Sequence, residues 1–124
     1  SLAAFVPGPY MATYFASKAY VLSFTEALDE ELRGTGVRAT ALCPGPVATE
    51  FQKRAGIGHS PLFSGGVLDA ARVARAGYDA MMRGRRVKLP SVGNRMMAFA
   101  TRWVPRTLVA RAVRRLNSTR DQGG

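Results

Sequence analysis

Tyr14-Phe15-Ala16-Ser17-Lys18 is the stretch that decides how this sequence is interpreted. It lies in a segment, residues 12–33, whose apolar side chains recur at helical spacing, so we predict a long helix there. Residues four apart on a helix share a face, with Cβ atoms about 5–6 Å apart. Lys18 would therefore place an ammonium group beside the Tyr14 phenol. A fixed positive charge favours the ionised phenol, which can then exchange a proton with a carbonyl or alcohol oxygen.

The residues after this helix predict half of a β-α-β unit. Gly34-Thr35-Gly36 ends the helix, because glycine is favoured just past a helix terminus. Residues 37–43 are rich in residues that favour β-structure and are flanked by glycine and proline, so they predict a strand. Pro44-Gly45-Pro46 ends this strand. Ligands of open α/β sheets bind beyond the carboxyl ends of strands. Residues 44–49 should therefore face a binding crevice.

The next segments complete the predicted order of elements. Residues 50–67 have no clear period and contain four glycines, so they predict a loop of the length that commonly covers a site. Asp69 is a suitable N-cap for a helix over 69–82. The spacing of its apolar residues predicts a buried side made of Ala70, Val73, Ala74, Gly77, Tyr78 and Met81. Residues 86–90 predict a short last strand. We expect residues 2–10 to form a loop, because Pro7 and Pro9 flank Gly8.

Three features in this order resemble the short-chain dehydrogenase/reductase family. They are a serine, Ser1, thirteen residues before a tyrosine, the Tyr14-x-x-x-Lys18 pair, and the turn Pro44-Gly45-Pro46-Val47-Ala48-Thr49. The resemblance covers residues 1–90 well. It implies an α/β fold, the C-terminal half of a doubly wound, parallel-sheet (Rossmann-like) NAD(P)-binding domain. Residues 91–124 would form a basic helical tail.

The resemblance also implies roles for individual residues. Tyr14 would be the general acid or base, Lys18 would assist it and hydrogen-bond the nicotinamide ribose, and Ser1 would hydrogen-bond the substrate oxygen. Thr49 would hold the nicotinamide carboxamide, and the residues around the turn would lie against the cofactor: Pro44, Gly45 and Val47. NADP is slightly favoured over NAD. The family residue that decides this preference is not in the sequence.

The substrate implied is a small carbonyl compound or secondary alcohol. The loop 50–67 would shape its pocket, and its Phe51, Leu62 and Phe63 suggest an apolar substrate. Tyr10 has a tyrosine instead of a lysine four residues on, so we interpret it as a residue of the pocket or the core. In the family resembled, the helix corresponding to 12–33 commonly packs against its twin, so a homo-oligomer, most simply a dimer, is expected.

Each site residue has a structural alternative. A tyrosine in a helical stripe is commonly a core aromatic, and a lone lysine is commonly a solvated charge. Ser1 could be only a chain end, and Thr49 only a loop residue or an N-cap. The joint spacing is what favours the catalytic interpretation.

Two elements of the family are absent from the sequence. The glycine-rich phosphate-binding turn, Gly-x-x-x-Gly-x-Gly, occurs nowhere, and neither does the family's asparagine before the serine. There is also no initiator methionine or basic leader in the first residues. We therefore expect that these residues are not a signal peptide and that the chain is cut from something longer. We expect the 124 residues alone to bind cofactor poorly, to be inactive and to associate. The alternative function is a non-catalytic, basic module that binds a membrane or a partner.

The net charge of +10 belongs to the tail. Between Ala80 and Arg120 there are eleven basic residues and no acidic one, whereas the first 79 residues carry seven of each sign. Arginines opposite Trp103, Leu108, Val109 and Val113 suggest either a solvated helix face packed on the domain or an interfacial helix on anionic lipid over 91–120. No nucleic-acid motif accompanies the charge, so no nucleic-acid partner is expected.

Composition excludes several other classes. Cys43 is the only cysteine, which rules out an internal disulfide and suits the reducing cytoplasm, with peripheral membrane contact as the alternative location. His59 is the only histidine and lies in the irregular loop, so neither a metal site nor a Ser-His-Asp hydrolase is expected. No apolar run is long enough to span a membrane.

Overall fold

The computed structural model describes residues 1–45, 47 and 68–118 of the chain. A 3-10 helix at Leu2–Phe5 comes first. The other elements follow in the order α1 (Ala12–Glu31), β1 (Ala41–Leu42), α2 (Ala70–Met82), β2 (Val87–Lys88), α3 (Val92–Ala100) and α4 (Arg106–Ser118).

The two strands pair in parallel, with Ala41 opposite Val87 and Leu42 opposite Lys88. The ladder is held by backbone N–H groups of Ala41 and Cys43, which donate to carbonyls of the second strand's segment at 2.7 and 2.8 Å. Helix α2 lies between the two strands in sequence and packs against β2. This helix-rich arrangement with a parallel sheet confirms the predicted α/β fold class, a partial Rossmann-like domain.

Both strands are shorter than the predicted 37–43 and 86–90. Before β1 the backbone bonds to side chains instead of to a neighbouring strand: the Ala39 N–H donates to the Asp29 carboxylate at 3.1 Å. The Thr40 hydroxyl donates to the Arg85 carbonyl at 2.8 Å. These bonds satisfy the polar groups that a longer ladder would have used, so the prediction of strand at 37–40 is wrong.

The prediction that residues 2–10 are entirely loop is also wrong, because Leu2–Phe5 form the 3-10 helix. The Ser1 hydroxyl accepts from the Ala3 N–H at 3.1 Å and so caps this turn. Leu2 and Ala3 are buried, which fixes the turn against the rest of the molecule. The prolines that argued for a loop begin only at Pro7, beyond the end of this helix.

Helix α1 buries one narrow stripe. Phe15, Leu22 and Asp29 are buried and follow one another at intervals of seven residues, about two helical turns. A second apolar face of this helix is exposed and includes Tyr20 and Phe24, whose stacked rings have centres 6.1 Å apart. The helix ends at Glu31. Gly34 and Gly36 adopt positive φ angles in the turn that follows it.

Among the described residues, the core includes two small clusters of buried side chains. The first joins Ala3 and Val6 to Phe15 of α1 and Val113 of α4. The second joins Leu22 to Ala41 and Cys43 around β1. Each cluster brings α1 together with an element distant in sequence.

The tail is two helices separated by residues 101–105, with Pro105 immediately before α4. Val109 and Val113 pack on the first cluster as expected, but Trp103 and Leu108 are exposed.

On α2, Asp69 caps the helix as predicted by accepting from the Arg72 N–H at 3.0 Å. That helix buries only Val73 and Ala80, and the expected burial of Ala70, Ala74, Tyr78 and Met81 is wrong.

An ion-pair network holds the end of α1 to the sheet. Asp29 is 2% exposed and accepts from Arg38 at 2.9 and 3.2 Å and from Arg86 at 2.8 Å. Glu30 accepts from Arg33 and Arg86. The hydrogen bonds from Arg38, then from the Ala39 N–H, lower the pKa of Asp29 to about 2.

We expect this network to make the fold acid-sensitive in a defined window. A carboxyl whose pKa is lowered in the folded chain stabilises it above the unfolded value, near ~4, and loses that contribution as the pH falls toward about 2. Unfolding within that window should therefore take up close to one proton at Asp29.

Thermal unfolding of Asp29→Asn, followed from pH 6 to pH 2, is the measurement. The variant should melt lower than the unaltered chain at pH 6, and its stability should depend less on pH between about 4 and 2. Asp79→Asn, on the exposed side of α2, is the control. Parallel pH profiles for D29N and the unaltered chain would contradict the role given to Asp29.

Candidate active site

Ser1 and Tyr14 lie side by side in the fold. The Tyr14 hydroxyl donates to the Ser1 Oγ at 3.3 Å, across thirteen residues of sequence. This oxygen–oxygen distance is longer than the ~2.7–2.8 Å common between two hydroxyl groups. Ser1 Oγ also accepts from the Ala3 N–H. Because this oxygen already accepts two hydrogen bonds, the Ser1 hydroxyl can donate its own hydrogen bond to a third atom.

Lys18 lies on the same face of α1. Its Nζ is 5.4 Å from the centre of the Tyr14 ring, in the range of a cation–π contact. Both side chains are half-buried, so the charge is screened less than a fully solvated one would be. The structure thus brings together the three residues predicted as catalytic.

The segment before α1 sets the distance between the serine and the tyrosine. Gly8 lies directly on the Phe15 ring, and a Cβ at this position would come within 2.1 Å of the ring. Tyr10 adopts a φ of 67°, a left-handed conformation uncommon for a non-glycine residue, as the chain turns into the helix. The Met11 N–H donates to the Gly8 carbonyl at 3.0 Å and closes this turn.

The turn after β1 lies against the same serine end. The Leu2 N–H donates to the Pro44 carbonyl at 3.2 Å. A Cβ at Gly45 would lie 2.7 Å from Nδ2 of Asn94 on α3, so a side chain there would require the Asn94 amide to move. Sequence reasoning missed this contact with Asn94, since nothing in the local pattern links α3 to residue 45.

Val47 pairs with Leu68 in an isolated parallel bridge, which brings the two ends of the intervening segment together. Several predicted residues fall outside the described part of the chain: Thr49, Phe51, Leu62 and Phe63, together with the loop 50–67 and His59.

Tyr10 is exposed and is held by the tail. Its hydroxyl accepts from Nε of Arg114 at 3.2 Å, and this hydrogen bond raises the pKa of the arginine. Next to it, Nδ2 of the buried Asn117 donates to the Pro9 carbonyl at 2.9 Å. Helix α4 therefore fixes the turn that leads into α1. These contacts join residues more than a hundred positions apart, so spacing could not reveal them.

Cys43 is buried at the end of β1, and burial raises the pKa of its thiol. It therefore has the character of a small core residue, not of a nucleophile. No group of histidine, cysteine or carboxylate side chains that could hold a metal ion exists among residues 1–45, 47 and 68–118. In the same ranges, no helix is long and apolar enough to cross a membrane.

The local chemistry is thus that of proton transfer to oxygen. The Tyr14 phenol and the Ser1 hydroxyl are within hydrogen-bonding distance of each other, and the Lys18 ammonium lies beside the phenol. The turn close to the serine contains a glycine, Gly45. The phenol and the hydroxyl can bind one carbonyl or alcohol oxygen between two donors.

Comparison with known proteins gives consistent matches. The sequence model of the short chain dehydrogenase family matches residues 1–58. Over 49 residues the chain is 51% identical to 1-deoxy-11-beta-hydroxypentalenate dehydrogenase of Streptomyces exfoliatus, covering 40% of this chain and 18% of that protein. Over 43 residues it is 48% identical to an NADPH-dependent aldehyde reductase-like chloroplastic protein of Arabidopsis thaliana, covering 35% and 16%.

A longer match, 36% identical over 75 residues, is to a protein of Xanthobacter autotrophicus named inactive 2-(S)-hydroxypropyl-CoM dehydrogenase 2. It covers 60% of this chain and 31% of that protein. The chain thus spans under a third of the length of the curated relatives it matches. No solved structure matches it.

Proposed function

Because residues 1–58 match the sequence model of the short-chain dehydrogenase family, we propose that this chain supplies the proton-transfer half of a nicotinamide-dependent oxidoreductase. The reaction interconverts a carbonyl and a secondary alcohol. The single observation that carries the proposal is the 3.3 Å hydrogen bond between the Tyr14 hydroxyl and Ser1, with the Lys18 ammonium beside the ring.

In the reducing direction, the substrate carbonyl oxygen takes the place of Ser1 as the acceptor for the Tyr14 hydroxyl. Ser1 donates its own proton in a hydrogen bond to the same oxygen, which stabilises the negative charge that develops there. Tyr14 then gives its proton to that oxygen. In the oxidising direction, Tyr14 accepts the proton of the alcohol.

Lys18 supports both directions. Its positive charge, 5.4 Å from the ring centre, stabilises the phenolate that Tyr14 becomes after proton donation. It therefore lowers the free-energy cost of the step that Tyr14 performs.

A nicotinamide cofactor supplies the hydride when bound. We assign its nicotinamide end to Tyr14 and Lys18, to the turn of Pro44 and Gly45, and to Val47 and Thr49. Gly45 supports this assignment, because a residue without a side chain allows its backbone to lie close to a bound ring. NADP is preferred in this proposal, and the NADPH-dependent name of the Arabidopsis relative supports that choice.

The substrate is apolar, bound by Tyr10 and by Phe51, Leu62 and Phe63.

Oligomerisation belongs to the proposal as well. The exposed face of α1 carries Tyr20, Val21 and Phe24. A face of large apolar side chains on a helix is commonly covered by another protein surface. We assign it to a second copy of the same helix in a dimer.

The chain alone should be inactive. It has no glycine-rich phosphate-binding turn, and the described part contains one sheet of two strands, whose outer edges are open. We expect no detectable NAD(P)H-dependent reduction of a panel of ketones and aldehydes, and association during size-exclusion chromatography. Measurable turnover by the 124 residues would contradict this.

The positive test joins the chain to a preceding half that supplies the glycine-rich turn, taken from its own reading frame or from a relative. The joined protein should oxidise NADPH in the presence of an apolar ketone or aldehyde. Lack of turnover despite measured NADPH binding would overturn the proposed function and leave the basic binding module as the alternative. The exposure of Trp103 in the basic tail is the observation that favours that alternative.

A further inference from the structure

We propose that the outer face of α3 binds an anionic membrane surface by inserting its apolar side chains among the lipid headgroups. The surface consists of Val92, Met96, Phe99 and Trp103, called the α3 stripe below. This inference does not depend on catalysis, since none of these residues belongs to the candidate active site.

The α3 stripe is a single exposed line of large apolar side chains. At about 100° per residue, Val92, Met96 and Phe99 lie within about 60° of one another on α3. Trp103 continues the line past the helix end, with its ring centre 6.2 Å from that of Phe99. The four residues are 69%, 64%, 58% and 77% exposed, in chain order.

The opposite face of α3 anchors it to the molecule. Ala98 is buried, and Asn94 lies against Gly45. Because the inner face is fixed in this way, the stripe cannot turn inward without breaking those contacts. Its exposure is therefore set by how the helix packs.

Charge decides what kind of partner fits. Arg95, Arg102 and Arg106 lie beside the stripe in sequence and are exposed. From Ala80 to Ser118 the chain has ten arginine and lysine residues and no aspartate or glutamate. A second copy of this face would bring two uniformly positive surfaces together, which is unfavourable. A layer of lipid phosphates is complementary both to the arginines and to the interfacial preference of tryptophan.

The exposed stripe and the charge together distinguish lipid from nucleic acid. A polyanion in water would attract the arginines but would leave Met96 and Phe99 in solvent. An anionic membrane satisfies both the arginines and the apolar side chains at one surface.

Trp103 is the only tryptophan, so its fluorescence reports on the stripe directly. The test titrates the 124-residue chain with neutral phosphatidylcholine vesicles and with vesicles containing phosphatidylglycerol, at low and high salt. We expect the emission of Trp103 to shift to shorter wavelength with the anionic vesicles only, and the binding to weaken as salt rises. Brominated lipid should quench the same emission.

Two variants of equal charge sharpen the test. Arg102→Gln with Arg106→Gln removes two charges beside the stripe, and Arg72→Gln with Arg75→Gln removes two from exposed positions on α2. The first pair should weaken vesicle binding by roughly tenfold or more, and the second by much less. Circular dichroism checks that both variants keep their helices.

Several results would overturn the proposal. They are equal binding to neutral vesicles, equal losses for the two pairs of variants, vesicle binding without a shift of Trp103, and no vesicle binding. An oligonucleotide that shifts the emission more than the anionic vesicles do would also overturn it, in favour of a nucleic-acid partner. NADPH oxidation is not measured here, so none of these results bears on the proposed catalysis.

Discussion

Replacing Tyr14 with phenylalanine is expected to lower kcat for carbonyl reduction by about 10²–10⁴-fold, the range typical for loss of a general acid. The measurement uses the chain joined to a half that supplies the glycine-rich turn. Phenylalanine keeps the ring beside Lys18 and the edge-to-face contact with Phe15, whose centre is 5.9 Å from that of Tyr14. The phenolic proton and the hydrogen bond to Ser1 are lost while the ring is kept, so kcat should fall much more than NADPH affinity.

Tyr78→Phe is the matched control, because Tyr78 is an exposed tyrosine on α2 and has no part in the site. It should retain the activity of the unaltered protein. If Tyr14→Phe kept kcat within a few-fold of that activity, Tyr14 would not be the general acid, and its contact with Ser1 would be structural only.

Phe15→Ala should destabilise the fold by about 3–5 kcal/mol, the cost of truncating a buried phenylalanine. Phe15 is 3% exposed and is the buried α1 member of the cluster with Ala3, Val6 and Val113. Its ring also supports Gly8, in the segment between Ser1 and Tyr14. Because small domains are stable by only about 5–15 kcal/mol, this single change should leave a marginal fold.

Urea unfolding followed by circular dichroism measures this loss. Phe99→Ala is the control, since it makes the same substitution at a position of α3 that is 58% exposed. It should shift the free energy of unfolding by no more than about 0.5 kcal/mol. Similar losses for the two variants would mean that α1 is held by something other than the Phe15 contacts.

The sequence predicted the helices well because their signals are local. Apolar spacing marked α1, and Asp69 marked the start of α2 through a hydrogen bond that spans only three residues. The strands were predicted too long because a ladder extends only where a partner strand is present. The burial of Tyr78 was predicted wrongly because periodicity reports which side chains share a face, not which face is covered.

The candidate site divides in the same way. The pairing of Tyr14 with Lys18 follows from their separation of four residues on one helix. The family resemblance supplied Ser1. The contacts of Arg114 with Tyr10, of Asn117 with Pro9 and of Asn94 with Gly45 were not predicted. They depend on where α3 and α4 pack, and no sequence interval encodes that.

By itself, the sequence determined the α/β class, the helix that carries Tyr14 and Lys18, and the concentration of positive charge in the tail. Spacing along a helix and charge along a chain are properties of neighbours, so they can be read before folding. Only the tertiary structure decided that Ser1 lies 3.3 Å from the Tyr14 hydroxyl, that Asp29 joins α1 to the sheet, and that the outer face of α3 remains exposed. Each of these depends on packing between segments distant in sequence, where burial and ion pairing select one arrangement among many that the local pattern allows.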